Sequence, residues 1–387
     1  MTTSYWRQAL STFECDVLVI GAGICGLSAA VHLQRRGLKV CVVERHVIGA
    51  GASSRNAGFL MRGAAENYAA AIREYGRDKA RLIWRWTEEN LAGLRSEGVE
   101  SLPNYQRVPS CLLALGEEER AELEASQRLL HEDGFNVQWL QAGPTTRTLD
   151  SAWSTGKPLA GLLNPDDAAC NPVEVLHHLA SKLHRPVMDR QEVIRLESDD
   201  SGVITHASSV TIKARYALLC TNAYLPLLAP SSTHLVKPRR GQMLAIRAAG
   251  RVLKYSYYAN HGYEYFRQAA DGTIVVGGGR KQHAETEVGY EDVTTPALQS
   301  DLEAFAASIL GMERESLSII SRWSGTMGFS PDGLPLIGPL PNWPGNRVWF
   351  CGGFTGHGMS MAYRCALSCV EAMLDEKLTP LPLSRSL

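Results

Sequence analysis

Six residues open the question of chemistry: Gly21-Ala22-Gly23-Ile24-Cys25-Gly26, a G-x-G-x-x-G run. Gly21 permits a tight turn, Gly23 lets backbone approach a pyrophosphate, and Gly26 lets a helix pack closely on a strand. A helix starting there presents amide donors and the positive end of its dipole to phosphate. Glu44 stands about 20 residues further on, where its carboxylate can accept from ribose hydroxyls. An acid at that place disfavours a 2′-phosphate. A second stretch, Gly49-Ala50-Gly51-Ala52-Ser53-Ser54-Arg55-Asn56-Ala57-Gly58, offers backbone, hydroxyl and amide donors to a phosphate or a ring edge. The same composition also suits a plain flexible loop.

These residues need elements to hold them. Cys15–Ile20, CDVLVI, is a short apolar β-rich run. Leu27–Arg36 is rich in helix formers and is closed by Gly37. Val40–Glu44, VCVVE, reads as a second buried strand. Strand, turn, helix and strand in that order make a βαβ unit with a parallel sheet. Further on, Arg77–Gly98, Gly116–Gly134, Val173–Leu183 and Leu298–Leu310 read as helices. Short strands fill Glu192–Leu219, and Tyr257–Gly279 reads as a hairpin turning at Asp271-Gly272. Val348–Leu374 is again strand, Gly-rich turn and helix. The expected fold class is α/β. A Rossmann-like domain, βαβ with a mixed sheet, is built from residues 1–75, 165–235 and 325–387. An inserted α+β substrate domain with an antiparallel sheet comprises residues 76–164 and 236–324.

Composition narrows the function. The 387 residues carry 39 Lys+Arg against 40 Asp+Glu, a net charge of -1. No single-sign field is expected, and nucleic acid is not a partner, because phosphate backbones need clustered cations. The nine cysteines are scattered with no Cys-x-x-Cys pair, so no metal site is assigned and reduced, structural thiols are expected. That points to a reducing compartment. The first residues, MTTSYWRQAL, lack the apolar stretch of a signal peptide, and no run reaches the length of a membrane span. The expected location is cytoplasmic. His32, His177 and His178 read as surface or packing residues.

Four segments together resemble the D-amino-acid-oxidase-type flavoproteins, which include glycine, sarcosine and γ-glutamylputrescine oxidases. They are GAGICGLSAAVHLQRRGLKVCVVE, GAGASSRNAGF, LLCTNAY at Leu218–Tyr224, and MGFSPDGLPLIGPL followed by CGGFTGHGMSMA. The SYW near the start and RRGQM at Arg239–Met243 are most similar to the γ-glutamylputrescine oxidase subgroup. The resemblance implies FAD. Gly21, Gly23 and Gly26 would take the pyrophosphate, with Glu44 at the adenosine ribose and Val193 meeting adenine through its backbone; Ile24, Cys25 and Arg45 are further cofactor-binding candidates. Ser53, Ser54, Asn56 and Ala57 would lie along the flavin end, with Ala52, Arg55, Thr221 and Asn222 as further cofactor-binding candidates. Gly353, Gly356, His357, Gly358 and Met359 would contact the isoalloxazine and ribityl chain.

The implied activity is oxidation of the C–N bond of a primary or secondary amine or amino acid to an imine. Oxygen would reoxidise the flavin and give hydrogen peroxide. Two alternatives stay open: a dehydrogenase passing electrons to a quinone or protein, and a non-catalytic FAD-containing assembly protein. The sequence departs from the family at three places. Gly325 stands where some sarcosine-oxidase relatives carry the Cys that attaches FAD, so non-covalent FAD is expected. Ser360 stands where those relatives have a carboxylate-binding Lys, and Met327 where glycine oxidase has an Arg. Tyr265 and Arg267 are the candidate replacements, since alternation puts both side chains on one strand face. Arg280 and Arg322 are further candidates. His357 is the remaining candidate catalytic group. The strand Thr273-Ile274-Val275-Val276 lacks the Lys that several oxidases of the family place before the flavin to activate oxygen.

Overall fold

A computed structural model of the protein describes residues 11–64 and 66–375; the Ser4-Tyr5-Trp6 motif lies outside them. The chain runs β1 (Thr12–Ile20), α1 (Ile24–Arg35), β2 (Val40–Val43), β3 (Phe59–Leu60), α2 (Arg77–Ser96), β4 (Ser110–Ala114), α3 (Glu117–Glu132) and β5 (Gln138–Gln141). It continues through β6 (Ala160–Asn164), β7 (Ala168–Ala169), α4 (Pro172–Ser181), β8 (Val193–Ser198), β9 (Val203–Ala207), β10 (Thr211–Leu219), β11 (Lys237–Arg247) and β12 (Ser256–Ala259). Then come β13 (Glu264–Gln268), β14 (Ile274–Gly278), α5 (Pro296–Leu310), β15 (Ser318–Phe329), β16 (Leu336–Pro339), β17 (Val348–Gly352) and α6 (Gly358–Asp375). Short helical turns lie between some of these.

The chain divides into two units. One takes the chain up to Ser54, Val175–Pro238 and the chain from Met327; the other takes Arg55–Glu174 and Arg239–Thr326.

The first unit is built on a mixed sheet of order β16-β17-β10-β1-β2, with the β8–β9 hairpin joined to β10. β2, β10 and β17 run parallel to their neighbours, as the βαβ reading requires. β16 and β9 are antiparallel additions. Parallel strands are covered on both faces and so read as unbroken apolar runs. Val17, Leu18 and Val19 accordingly have no exposed surface. α1 starts at Ile24, earlier than its helix-forming composition suggests, because the extended Gly23 ends the turn there.

The second unit contains an eight-stranded sheet, β15-β11-β14-β13-β12-β4-β6-β5. Most of its resolved pairings are antiparallel, but β12 and β4 run parallel. That seam joins two stretches of chain far apart in sequence. The β13–β14 hairpin turns at Asp271-Gly272 as read from the sequence: Gly272 has φ +84° and the Asp271 carboxylate accepts from Thr273 N–H at 3.0 Å. Alternation then sorts the two faces. Tyr257, Phe266, Ile274, Val276 and Leu244 face a core completed by Leu298, Leu302 and Leu310 of α5. Tyr258, Tyr265, Val275, Met243 and Trp323 face the other way, packing with Ala57 and Phe59.

The segment Arg55–Tyr75, expected with the dinucleotide domain, belongs to this second unit. β3 pairs with β7, and Cys170 N–H donates to Gly58 O at 2.8 Å, so the segment is sewn into its backbone. Residues 165–174 follow for the same reason.

Candidate functional site

The dinucleotide loop forms because glycine is required at each turn of it. Gly21 sits at φ +105°, where a β-carbon would stand 2.9 Å from Cys220 O. A β-carbon on Gly26 would collide with the Gly21 carbonyl. On Gly23 it would stand 2.8 Å from the Ser53 hydroxyl oxygen. The bareness of Gly23 admits Ser53, whose Oγ accepts from Ile24 N–H at 3.1 Å. The first turn of α1 has no acidic residue and its N-cap, Gly23, supplies no side-chain cap, so the chain meets this positive dipole end from outside the helix.

Glu44 folds back on the loop. One carboxylate oxygen accepts from Ala22 N–H and the other from His46 N–H, both at 2.9 Å. A carboxylate has about four acceptor directions, so both oxygens keep capacity for hydroxyl donors. The Glu44 backbone is bonded to Met188 O and Gln191 N, which brings the start of β8 and Val193 beside it. Arg45 lies over the Tyr224 ring, 4.8 Å from its centroid. Ala52, Ser53 and Ser54 form one helical turn.

The carboxyl end of β10 meets the carboxyl end of β17. Asn222 Oδ1 accepts from Gly353 N–H at 2.9 Å. Asn222 and Thr355 have φ of 45° and 48°, a conformation that costs a non-glycine residue energy and is often kept at ligand sites. Thr221 Oγ1 is buried and has no hydrogen-bond partner among the described residues. It follows Cys220, whose carbonyl lies against Gly21.

Gly353 and Gly356 turn with φ of 70° and 88°, and α6 starts at Gly358 with Met359 buried in its first turn. His357 Nδ1 lies 3.0 Å from Thr355 O. A carbonyl only accepts, so Nδ1 carries the hydrogen and Nε2 is left as the acceptor. Desolvation holds the pKa of this ring below the usual histidine value.

Of the predicted residues, Arg55, Asn56 and Ala57 fall in the second unit. Asn56 Oδ1 accepts from Gly58 N–H at 2.7 Å, shaping the turn. Arg55 pairs with Asp292 at 2.5 Å and donates to Ser324 O at 2.9 Å, while Trp323 Nε1 donates to Arg55 O at 3.0 Å. Asp292, Trp323 and Ser324 carry no local signal; only the arginine in the loop sequence hinted that an acid had to meet it.

Tyr265 and Arg267 do share a face of β13. Tyr265 lies edge-on to Phe59, ring centroids 6.0 Å apart, and 5.6 Å from Tyr258. Burial pushes the Tyr265 phenol up to about 12, and raises Tyr258 too. Gly277 on the neighbouring strand makes room, since a β-carbon there would collide with the Tyr265 ring and Met243 Sδ.

Arg267 corrects an expectation. Its guanidinium was read as a ligand for a substrate carboxylate, yet the residue is 6% exposed. Nε donates to Ala57 O at 2.5 Å, Nη2 to Cys170 O at 2.7 Å, and Nη1 to Gln106 Oε1 at 3.1 Å and Gln268 O at 3.5 Å. Carbonyl oxygens take the place of an acid, and the side chain pins the Ala57–Gly58 turn to Cys170. His32 is a packing residue, its ring edge-on to Tyr363 at 4.6 Å. Among the described residues no helix is long and apolar enough to cross a membrane.

The glycine cradle, the orphaned Thr221 hydroxyl and the acid at Glu44 fit the diphosphate and ribose of a dinucleotide. Comparison with known proteins identifies which. The chain is 25% identical to gamma-glutamylputrescine oxidoreductase of Escherichia coli K12, over 94% of this chain and 86% of that one. It is 26% identical to glycine oxidase of Bacillus licheniformis, over 90% and 89%. The solved glycine oxidase of Geobacillus kaustophilus superposes with a TM-score of 0.79 at 20% identity, covering 97% of this chain and all of that one. The L-proline dehydrogenase of P. horikoshii superposes with a TM-score of 0.77 at 20% identity, covering 95% of each chain. The model of the FAD dependent oxidoreductase (DAO) family matches residues 16–371, and the chain belongs to that family.

Proposed function

We propose that the protein oxidises the C–N bond of a primary or secondary amine or amino acid to an imine, with oxygen as the electron acceptor and hydrogen peroxide as product. The reading is supported by a dinucleotide cradle in one unit and, in the other, an aromatic sheet face on which Tyr258, Tyr265, Phe59 and Met243 meet. Glycine oxidase and gamma-glutamylputrescine oxidoreductase among the relatives point to the same substrate class.

FAD, when bound, supplies the hydride acceptor. The residues of the chain supply position. Gly21, Gly23 and Gly26 bring backbone amides to the pyrophosphate, and Glu44 accepts from the ribose. Tyr265, with its raised pKa, remains protonated at neutral pH and acts as a hydrogen-bond donor. His357 is neutral there and offers Nε2 as an acceptor. An apolar, aromatic face favours the neutral amine over the ammonium, because a charged group loses its hydration there. Orientation of that neutral amine is the main contribution.

One observation favours the dehydrogenase alternative. Val275 is the β14 residue on the aromatic face, and no lysine accompanies it. Arg280, half-buried after β14, is a cation close enough to act on the Tyr265 phenol. The deciding experiment bleaches the flavin anaerobically with a panel of amines, then mixes the reduced protein with oxygen or with a soluble quinone. Reoxidation by oxygen at or above the turnover rate supports the oxidase. Slow reoxidation by oxygen with fast quinone reduction establishes a dehydrogenase, and no bleaching by any amine removes the catalytic reading.

A further inference from the structure

The loop that cradles the pyrophosphate carries a feature that neither binding nor amine oxidation uses. Cys25 is inside the G-x-G-x-x-G run, in the first turn of α1. Cys220 follows β10, with its carbonyl against Gly21 of the loop. Their sulfurs are 3.6 Å apart, and both residues are buried, at 4% and 7% exposure. Other thiols lie near, and the Cys351 thiol also hydrogen-bonds with those of Cys25 and Cys369, so Cys25–Cys351 is the competing pair that a test must separate from Cys25–Cys220. Cys25 Sγ meets the carbonyl of Cys351 at 3.5 Å, and Cys369 Sγ that of Phe350 at 4.0 Å. Among the described residues no group of His, Cys, Asp and Glu is arranged for a metal ion, so this is not a thiolate metal site.

We propose that Cys25 and Cys220 are an oxidation site of the cradle, closing to a disulfide on reaction with a hydroperoxide and weakening the hold on FAD.

The inference rests on the placement of FAD at this loop. The chemistry balances without further reagents. The Cys25 thiolate attacks one peroxide oxygen and the O–O bond breaks, giving a sulfenic acid and hydroxide. The Cys220 sulfur then displaces the sulfenic hydroxyl, so S–S forms as S–O breaks. The thiol protons leave with the two oxygens as water. Two thiols lose two electrons and two protons in total, and hydrogen peroxide becomes two waters. Cys25 is the attacking group because the helix dipole favours an anion in the first turn. Hydrogen bonding with Cys220 also holds its thiol below the ordinary value.

Closure alters the cradle because there is no slack around it. A disulfide is about 2.05 Å long, so the sulfurs must approach by about 1.5 Å. A β-carbon on Gly26 would already stand 3.3 Å from Cys220 Cβ and collide with Gly21 O. The approach is therefore taken up by the Gly21–Gly26 backbone, whose amides meet the pyrophosphate.

The test uses the holoenzyme. It is treated with hydrogen peroxide in the absence of amine, alkylated while unfolding, digested without reductant and mapped by mass spectrometry. The expected product is a linked peptide pair containing Cys25 and Cys220, lost on adding dithiothreitol and absent from Cys25→Ser. Flavin retained on a filter should show an FAD affinity weaker by at least about tenfold, restored by the reductant. Singly alkylated Cys25 and Cys220 would overturn the proposal. So would a bond from Cys25 to Cys351 or Cys369, or a Cys25–Cys220 bond with unchanged flavin retention. The wild-type peptide map decides even if the serine variant folds poorly. Failure of the FAD placement itself appears elsewhere, as unaltered flavin affinity in Glu44→Ala.

Discussion

Arg55 fills the space beside Gly325: a β-carbon on Gly325 would stand 2.9 Å from Arg55 Cβ and 3.4 Å from its Cδ. Arg55 is held there by Asp292 and by the Ser324 carbonyl. The position that carries the attaching cysteine in some relatives is thus both vacant of a thiol and walled off by a neighbour.

Non-covalent FAD follows. Acid precipitation of the yellow protein should leave the flavin in the supernatant. Gly325→Cys should not create an attachment, and should lower stability by about 1–3 kcal/mol through overpacking. Flavin that stays with the precipitated wild-type chain would refute this.

Glu44 is the second test. Its two oxygens satisfy the backbone of Ala22 and His46. Hydrogen bonds to a charged group contribute about 1.5–3 kcal/mol. Glu44→Ala should weaken FAD binding at least about tenfold, and Glu44→Gln, which keeps one oxygen, should fall between. Fluorescence titration of flavin-stripped protein measures it; an unchanged dissociation constant places the acid elsewhere.

For Arg267 the expectation is structural. Arg267→Met strands the carbonyls of Ala57 and Cys170, each buried unsatisfied group costing about 1–3 kcal/mol. The melting temperature should fall, and Michaelis constants for a carboxylated amine and its decarboxylated analogue should change by the same factor. A rise confined to the carboxylated compound would return the guanidinium to the substrate.

Asp167 gives a pH signature. It is fully buried, accepting from Ser110 Oγ and Arg62 N–H, and desolvation raises its pKa to about 7. A carboxyl raised in the fold is favoured there in its protonated form. Its contribution is complete below about pH 4, the value in the unfolded chain, and is lost as pH rises through about 7. Asp167→Asn removes that loss. Thermal melts of the two proteins from pH 4 to 8 should diverge in favour of the variant as pH rises; parallel curves would show that Asp167 stays charged.

The local geometry of the candidate site was legible in the sequence. The glycines and Glu44 fall within one βαβ unit, where spacing alone fixes which atoms meet. The hairpin at Asp271-Gly272 and the shared face of Tyr265 and Arg267 follow from turn chemistry and a period of two. What those faces meet was not legible. Arg267 finds its acceptors at Ala57, Gln106 and Cys170, and Arg55 finds Asp292, all across long separations that no periodicity encodes. Alternation predicted where Arg267 points; only the fold shows that backbone carbonyls are waiting there. The same blindness placed Arg55–Tyr75 with the wrong unit, since a two-residue strand such as β3 leaves almost no trace in composition.

The parallel seam between β4 and β12 governs the order in which the protein can be made. Tyr257 must find Cys111 across a stretch longer than many whole domains. In the other unit, β1 needs β10, and β10 needs β17. Closing loops of that length costs entropy before the contacts repay it, and topologies of this kind fold slowly. As the chain leaves the ribosome, the glycine loop emerges early, Cys220 follows midway, and the β17 segment comes late. The sheet beneath the glycine loop is therefore completed late in synthesis, and a chain stopped ahead of β17 has the glycine loop without the strand that pairs with β10.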